Sequence, residues 1–116
     1  MFAIWFLFGK EDNNYIEHII KDLATQYHSP FFIPHITVYG LVNTNIETID
    51  NLILESIKDV KPFLIEKNSI NYSDDFWKTL FIEIKQNQYL NSINEKLTNG
   101  LSKFSNYGFS PHISVI

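Results

Sequence analysis

Two short segments combine residue types that can move protons around a phosphate: Pro34-His35-Ile36-Thr37 and Pro111-His112-Ile113-Ser114. Along a strand, side chains at i and i+2 share a face, so His35 projects with Thr37 and His112 with Ser114. The alternate residues, Ile36 with Val38 and Ile113 with Val115, then turn to the core behind. Two such strands side by side would set two imidazoles about one cleft, with a hydroxyl beside each. That set suits in-line phosphoryl transfer. A neutral imidazole takes a proton from the attacking water, and an imidazolium gives one to the departing oxygen. Histidine fits both roles because its ordinary pKa, about 6.5, lies near neutrality. Thr37 and Ser114 can donate hydrogen bonds to the non-bridging phosphate oxygens, where charge must be held through the transition state. Each proline restricts the backbone where its strand begins, and so the direction of its histidine.

Either motif alone would carry little weight, since a lone strand histidine is more often a structural residue satisfied by a neighbour. Duplication changes that. Residues 32–38 match residues 109–115 at five of seven positions, at an offset of 77, and Thr37 against Ser114 keeps the hydroxyl. The same offset lays 3–8 on 80–85, Ile16 on Ile93, Ile20 on Leu97 and Tyr27 on Phe104. A strand, a helix and a Pro-His strand therefore recur without a gap, as a duplicated unit would.

The elements that must position the histidines follow from periodicity and punctuation. Residues 2–8 read as a buried strand closed by Gly9. Asp12 or Asn13 is a candidate cap for a helix with Ile16, Ile19, Ile20, Leu23 and Tyr27 on one face, stopped by Pro30. A strand over 35–39 ends at Gly40. Asn45 can cap a second helix whose apolar face is Ile49, Leu52, Ile53 and Ile57. An extended stretch over 63–72, a turn at 73–75 and a strand over 79–85 follow. A third helix over about 89–103 carries Leu90, Ile93, Leu97 and Leu101, and Pro111 introduces the last short strand. The fold class is α+β: duplicated strand-helix-strand units, about 1–72 and 78–116, forming two antiparallel sheets with outer helices around a central groove. A single domain over 1–116 is expected at this length. In the first copy the Pro-His strand is followed by a helix and a further strand. By the same offset these are missing after Ile116, so the second repeat reads as truncated.

Composition bounds the function. An apolar fraction of 45% with 16% aromatics indicates a filled interior rather than disorder. The absence of cysteine excludes a thiol nucleophile, disulfides and thiolate metal sites. All nine basic residues are lysines, so no guanidinium fork exists to grip a phosphate. The net charge of −4 argues against a broad footprint for long duplex nucleic acid. No apolar run is long enough to span a bilayer and the first residues lack a signal-peptide pattern, so no membrane association and a cytoplasmic location are expected.

Competing uses of these residues are weaker. A catalytic zinc normally takes three protein ligands, and no carboxylate repeats beside the two histidines, so no metal site is expected. His18, between Ile16 and Ile19 on a helix, reads as a surface residue, and His28 as a cation near a helix end. No Gly-x-Ser-x-Gly elbow supports a serine hydrolase. Trp5, Phe6 and Phe8 read as core. Phe76 and Trp77, after an acidic turn, are candidates to line the site and stack on a base. Tyr39 shares the His35 face and is a candidate for its far end. Lys10 and Lys78 are phosphate contacts only by elimination.

The two Pro-His-x-Thr/Ser segments, with Ala3-Ile4-Trp5 at the start and residues 31–38 some thirty residues later, resemble the 2H phosphoesterase superfamily. The closer similarity is to its cyclic phosphodiesterase branch, beside the bacterial RNA 2′,3′-cyclic phosphodiesterases also called 2′-5′ RNA ligases. The resemblance implies a two-lobed α+β fold with the catalytic histidines in the groove between lobes. It also implies His35 and His112 as the catalytic pair, Thr37 and Ser114 as phosphate contacts, and no cofactor. The implied activity is metal-independent opening of a 2′,3′-cyclic nucleotide, an ADP-ribose 1″,2″-cyclic phosphate or an RNA-terminal cyclic phosphate. Family members continue past the second motif with substrate-contacting aromatics, from which this chain departs. The alternative is a non-catalytic module that holds a nucleotide or phosphate in the same groove. The partner is thus a small cyclic-phosphate nucleotide or an RNA end, and the chain a monomer, or a dimer if the sheet edge left by the truncated repeat pairs with a second copy.

Overall fold

The computed structural model describes residues 1–75 and 78–116. The elements in chain order are β1 (Phe2–Phe6), α1 (Lys10–Tyr27), β2 (Ile36–Val42), α2 (Ile46–Ile57), β3 (Lys67–Tyr72), β4 (Leu80–Ile84), α3 (Gln88–Leu101) and β5 (His112–Ser114). They make an α+β fold with two small antiparallel sheets, β1–β2 and β3–β4–β5. The chain forms two compact units. The first comprises residues 1–5, 37–65 and 86–110, and the second residues 6–36, 66–85 and 111–116.

The first unit holds most of β1 and β2, with α2 and α3. Asn45 caps α2 as its side chain accepts from the Thr48 amide at 2.8 Å, and Asn87 caps α3 by accepting from the amides of Tyr89 and Leu90. Each cap satisfies amides that the first helical turn leaves without partners. Leu90, Ile93, Leu97 and Leu101 of α3 are all buried, as their three-and-four spacing predicts. On α2 the inward face is Ile49, Leu52, Ile53 and Ser56, whereas Ile57 is exposed. Ser56 tolerates full burial because its hydroxyl donates to the Ile53 carbonyl at 2.8 Å. At Gly100 a Cβ would lie 2.5 Å from Leu52 Cδ2, so the glycine lets α2 and α3 approach closely. Asn94 on α3 donates its side-chain amide to the Val38 carbonyl at 2.8 Å and ties the helix to β2.

The second unit holds α1 and the three-stranded sheet in the order β3–β4–β5. Phe81, Glu83, His112 and Ser114 point to one face of that sheet, and Ile82, Ile84 and Ile113 to the other. Lys85 accepts no place in the strand proper, but its amide donates to the Glu66 carbonyl at 2.8 Å and closes the β3–β4 pair. Between β3 and β4, the Ser73 hydroxyl donates to the Lys78 carbonyl and fastens the turn.

Several expectations are corrected. The helix α1 begins at Lys10 with Gly9 as N-cap and no side-chain cap, so Asp12 and Asn13 lie inside it. Glu11 and Asp12 instead favour the first turn by their charge. Strand β1 ends at Phe6, and Trp5 is 46% exposed, because alternation turns Ile4 rather than Trp5 inward. Strand β2 runs through Gly40 to Val42 instead of stopping there. Gly40 is a site of close approach, where a Cβ would lie 2.6 Å from the Tyr107 ring. Tyr27 is exposed at the end of its helix.

Candidate functional site

Both Pro-His segments share one alternation of burial, although His35 precedes its strand and His112 opens its own. In the first, His35 and Thr37 are half-buried while Ile36 and Val38 are buried. In the second, His112 and Ser114 are half-buried while Ile113 and Val115 are buried. The apolar residues anchor each strand, and the histidine and hydroxyl are left on the opposite face, within reach of solvent. His35 and His112 belong to the same unit, and Thr37 is the first residue of the other unit's segment.

The imidazole of His35 stands just ahead of β2. Its Nδ1 lies 2.6 Å from the Ile33 carbonyl oxygen. A carbonyl only accepts, so Nδ1 carries the proton and, in the neutral ring, the lone pair is on Nε2. Burial holds the pKa of His35 below its ordinary value, partly offset by the hydrogen bond to Ile33, which favours the charged form. The Phe32 ring meets the imidazole edge-on with centroids 6.3 Å apart.

His112 opens β5, directly opposite Glu83 on β4, and Ser114 stands opposite Phe81. The Phe81 ring meets the His112 imidazole edge-on at 5.5 Å, and Lys78 Nζ lies 4.4 Å from the centroid of that same ring. Backbone bonds from the Ile84 amide to the Pro111 carbonyl at 3.1 Å, and from the Val115 amide to the Leu80 carbonyl at 2.9 Å, clamp β5 at both ends.

Beyond Thr37 the strand is fixed from the side. Tyr107 donates its hydroxyl to the Thr37 carbonyl at 3.4 Å, and burial pushes the Tyr107 pKa up. The expectation that Tyr39 lines the far end of the site does not hold. Tyr39 is fully buried, its hydroxyl donates to the Ser105 carbonyl at 2.6 Å, and its ring packs on Tyr107 at 5.5 Å. It shares the Thr37 face of β2, but that face is covered at this depth. Phe76 and Trp77 lie outside the described residues. His18 is exposed on α1, 3.5 Å from Asp22, and His28 is the left-handed C-cap of the same helix. Lys10 is exposed at the start of α1. Among the described residues no three His, Asp or Glu side chains gather as a metal ion would require, and no helix is long and apolar enough to cross a membrane.

The family model described as cyclic phosphodiesterase-like protein matches residues 1–116. The chain belongs to this family. Membership agrees with the resemblance to the cyclic phosphodiesterase branch of the 2H phosphoesterases, and it gives phosphodiester hydrolysis as the class of chemistry. No curated protein matches the chain. Beyond the motifs themselves, Glu83 and Lys78 flank the second and Tyr107 steadies the first. None of the three lies within a recurring motif. Pairing β4 with β5 by the repeat would have drawn attention to Glu83, whereas nothing in the sequence points to Tyr107.

Proposed function

We propose that this protein opens a cyclic phosphodiester by two-histidine acid–base catalysis, without a metal ion. The substrate is a 2′,3′-cyclic nucleotide, an ADP-ribose 1″,2″-cyclic phosphate or the cyclic phosphate at an RNA end. One observation carries the reading: the duplicated strand presents a half-exposed histidine and hydroxyl over buried apolar residues in both copies. His35 is the general base. Its Nδ1 is committed to Ile33, its ring favours the neutral form, and Nε2 takes the proton of the attacking water. His112, as imidazolium, protonates the departing ribose oxygen. Thr37 and Ser114 donate to the non-bridging oxygens as the negative charge redistributes. The product is a phosphomonoester, the water oxygen ending on phosphorus.

The test is turnover of 2′,3′-cyclic AMP and ADP-ribose 1″,2″-cyclic phosphate, followed by phosphorus NMR in excess EDTA. Wild type should yield a monoester, and His35→Ala and His112→Ala should each lose about 10²–10⁴ in kcat. Binding without product over prolonged incubation would instead support a non-catalytic phosphate-binding module.

A further inference from the structure

The polar face of the β3–β4–β5 sheet holds a second ionisable group beside the motif histidine. The β4–β5 register sets Glu83 opposite His112. Directly opposed residues on antiparallel strands share a face with Cβ atoms about 4.5–5.5 Å apart. Glu83 is therefore the nearest cross-strand neighbour of His112, on the face that also carries Ser114. Its carboxylate is held in place from β3: Ser69 Oγ donates to one oxygen at 3.0 Å and Asn71 Nδ2 to the other at 3.3 Å. Both donors are neutral, so they fix the carboxylate without cancelling its charge.

The other charged groups of the sheet are differently occupied. Lys85 shares the Glu83 face by alternation and is paired with Glu66 at 3.2 Å. Lys78 is taken up over the Phe81 ring. Lys67 stands opposite Ile84, on the other face. Asp74 and Asp75 lie in the turn that leads to the Leu80 end of β4, whereas His112 pairs near its other end.

The repeat sharpens the contrast. At the offset of 77 that relates His35 to His112, the first copy has Phe6 where the second has Glu83. The two histidines hold corresponding places in the repeat, and the position that is an aromatic residue in the first copy is a carboxylate in the second.

We propose that Glu83 is a positioning residue for His112, whose carboxylate favours the imidazolium form across the strand pair and keeps that side chain loaded as the proton donor. This rests on the two-histidine reading above. A carboxylate borne by the directly opposed residue favours a protonated imidazole over a neutral one. The substitution at one repeat position thus distinguishes acid from base in an otherwise duplicated pair. Protons balance within a turnover: His35 removes one from water, and His112 supplies one to the leaving oxygen.

The experiment is an NMR titration of the His112 ring in full-length wild type and in Glu83→Gln. The midpoint of His112 should fall by about half a pH unit, the size expected of a cross-strand charge pair, while His18 and His28 stay put. The alkaline limb of the kcat profile should move down by the same amount with KM unchanged. Glu83→Asp should restore most of both, and Glu66→Gln should move neither. If Glu83→Gln fails to fold, Glu83→Thr removes the charge with a residue that suits a strand, and should lower the His112 midpoint by the same amount. An unmoved His112 midpoint in a folded Glu83→Gln protein, or an equal shift in Glu66→Gln, overturns the proposal whatever the activity. Absence of turnover by wild type overturns the two-histidine reading alone, since the titration is read without substrate.

Discussion

The Nδ1–H of His35 donates a hydrogen bond to the carbonyl oxygen of Ile33, two residues back and 2.6 Å away. The bond is local, so the tautomer of the ring is set by the segment that leads into β2. Burial holds the pKa of this ring below its ordinary 6.5.

The lowered pKa has consequences for stability as well as activity. In the folded protein His35 binds a proton less readily than in the unfolded chain. Its contribution to stability is therefore fully present above about pH 6.5 and is lost as pH falls through the lowered folded value. Urea unfolding across the range from neutral to mildly acid should show wild type losing stability over that interval. His35→Gln should show a smaller loss there, having no imidazole to titrate. The acid limb of the kcat/KM profile should likewise fall below the ordinary histidine range. Equal acid sensitivity of wild type and His35→Gln would contradict this assignment.

Tyr39→Phe separates packing from substrate contact. The change keeps the buried ring and removes only the hydroxyl that satisfies the Ser105 carbonyl. Leaving a buried acceptor without its donor should cost about 1–3 kcal/mol in urea unfolding. KM and kcat measured well below the unfolding temperature should stay near wild type, because the hydroxyl points to a loop carbonyl and not to solvent. A raised KM at unchanged stability would return Tyr39 to the substrate.

Much of this architecture was legible because the repeat obliges equivalent positions to be buried together. Ile16 with Ile93, Ile20 with Leu97, Ile36 with Ile113 and Val38 with Val115 are all core residues. The histidine–hydroxyl alternation was legible for the same reason, since a period of two leaves no choice of face once the valines and isoleucines are inside. What escaped was set by tertiary contact. Gly40 looks like a strand terminator in sequence, but its missing side chain makes room for Tyr107, sixty-odd residues on. Trp5 and Ile57 are apolar enough for the core, yet both are exposed while their neighbours Ile4 and Ser56 are buried.

Gly40→Ala should therefore act on β2 through Tyr107. The added methyl would lie 2.6 and 2.8 Å from two carbons of that ring, too close for either to stay. Displacing the ring also weakens its hydroxyl contact with the Thr37 carbonyl. Overpacking of this kind should cost about 1–3 kcal/mol, seen as a lower urea midpoint at unchanged slope. Tyr107→Leu in the same background should recover part of the loss by removing the obstructing ring edge. If the double variant is no more stable than Gly40→Ala, the strand rather than the ring is the source of the cost.

The hydroxyls give the most direct check on how the phosphate is held. Thr37→Val keeps the β-branched shape that suits a strand and removes only the donor, and Ser114→Ala does the same in the second copy. Both side chains are half-exposed, so neither change should lower stability by more than about 1 kcal/mol. Loss of a hydrogen bond that strengthens as charge shifts on the non-bridging oxygens should instead lower kcat by about 10²–10³, with little effect on KM. Thr37→Ser should retain most of the activity, because the second copy already uses serine at the matching place. A Thr37→Val protein with wild-type kcat would show that the phosphate is held by other donors, and Lys78, beside the His112 ring partner Phe81, is then the next side chain to remove.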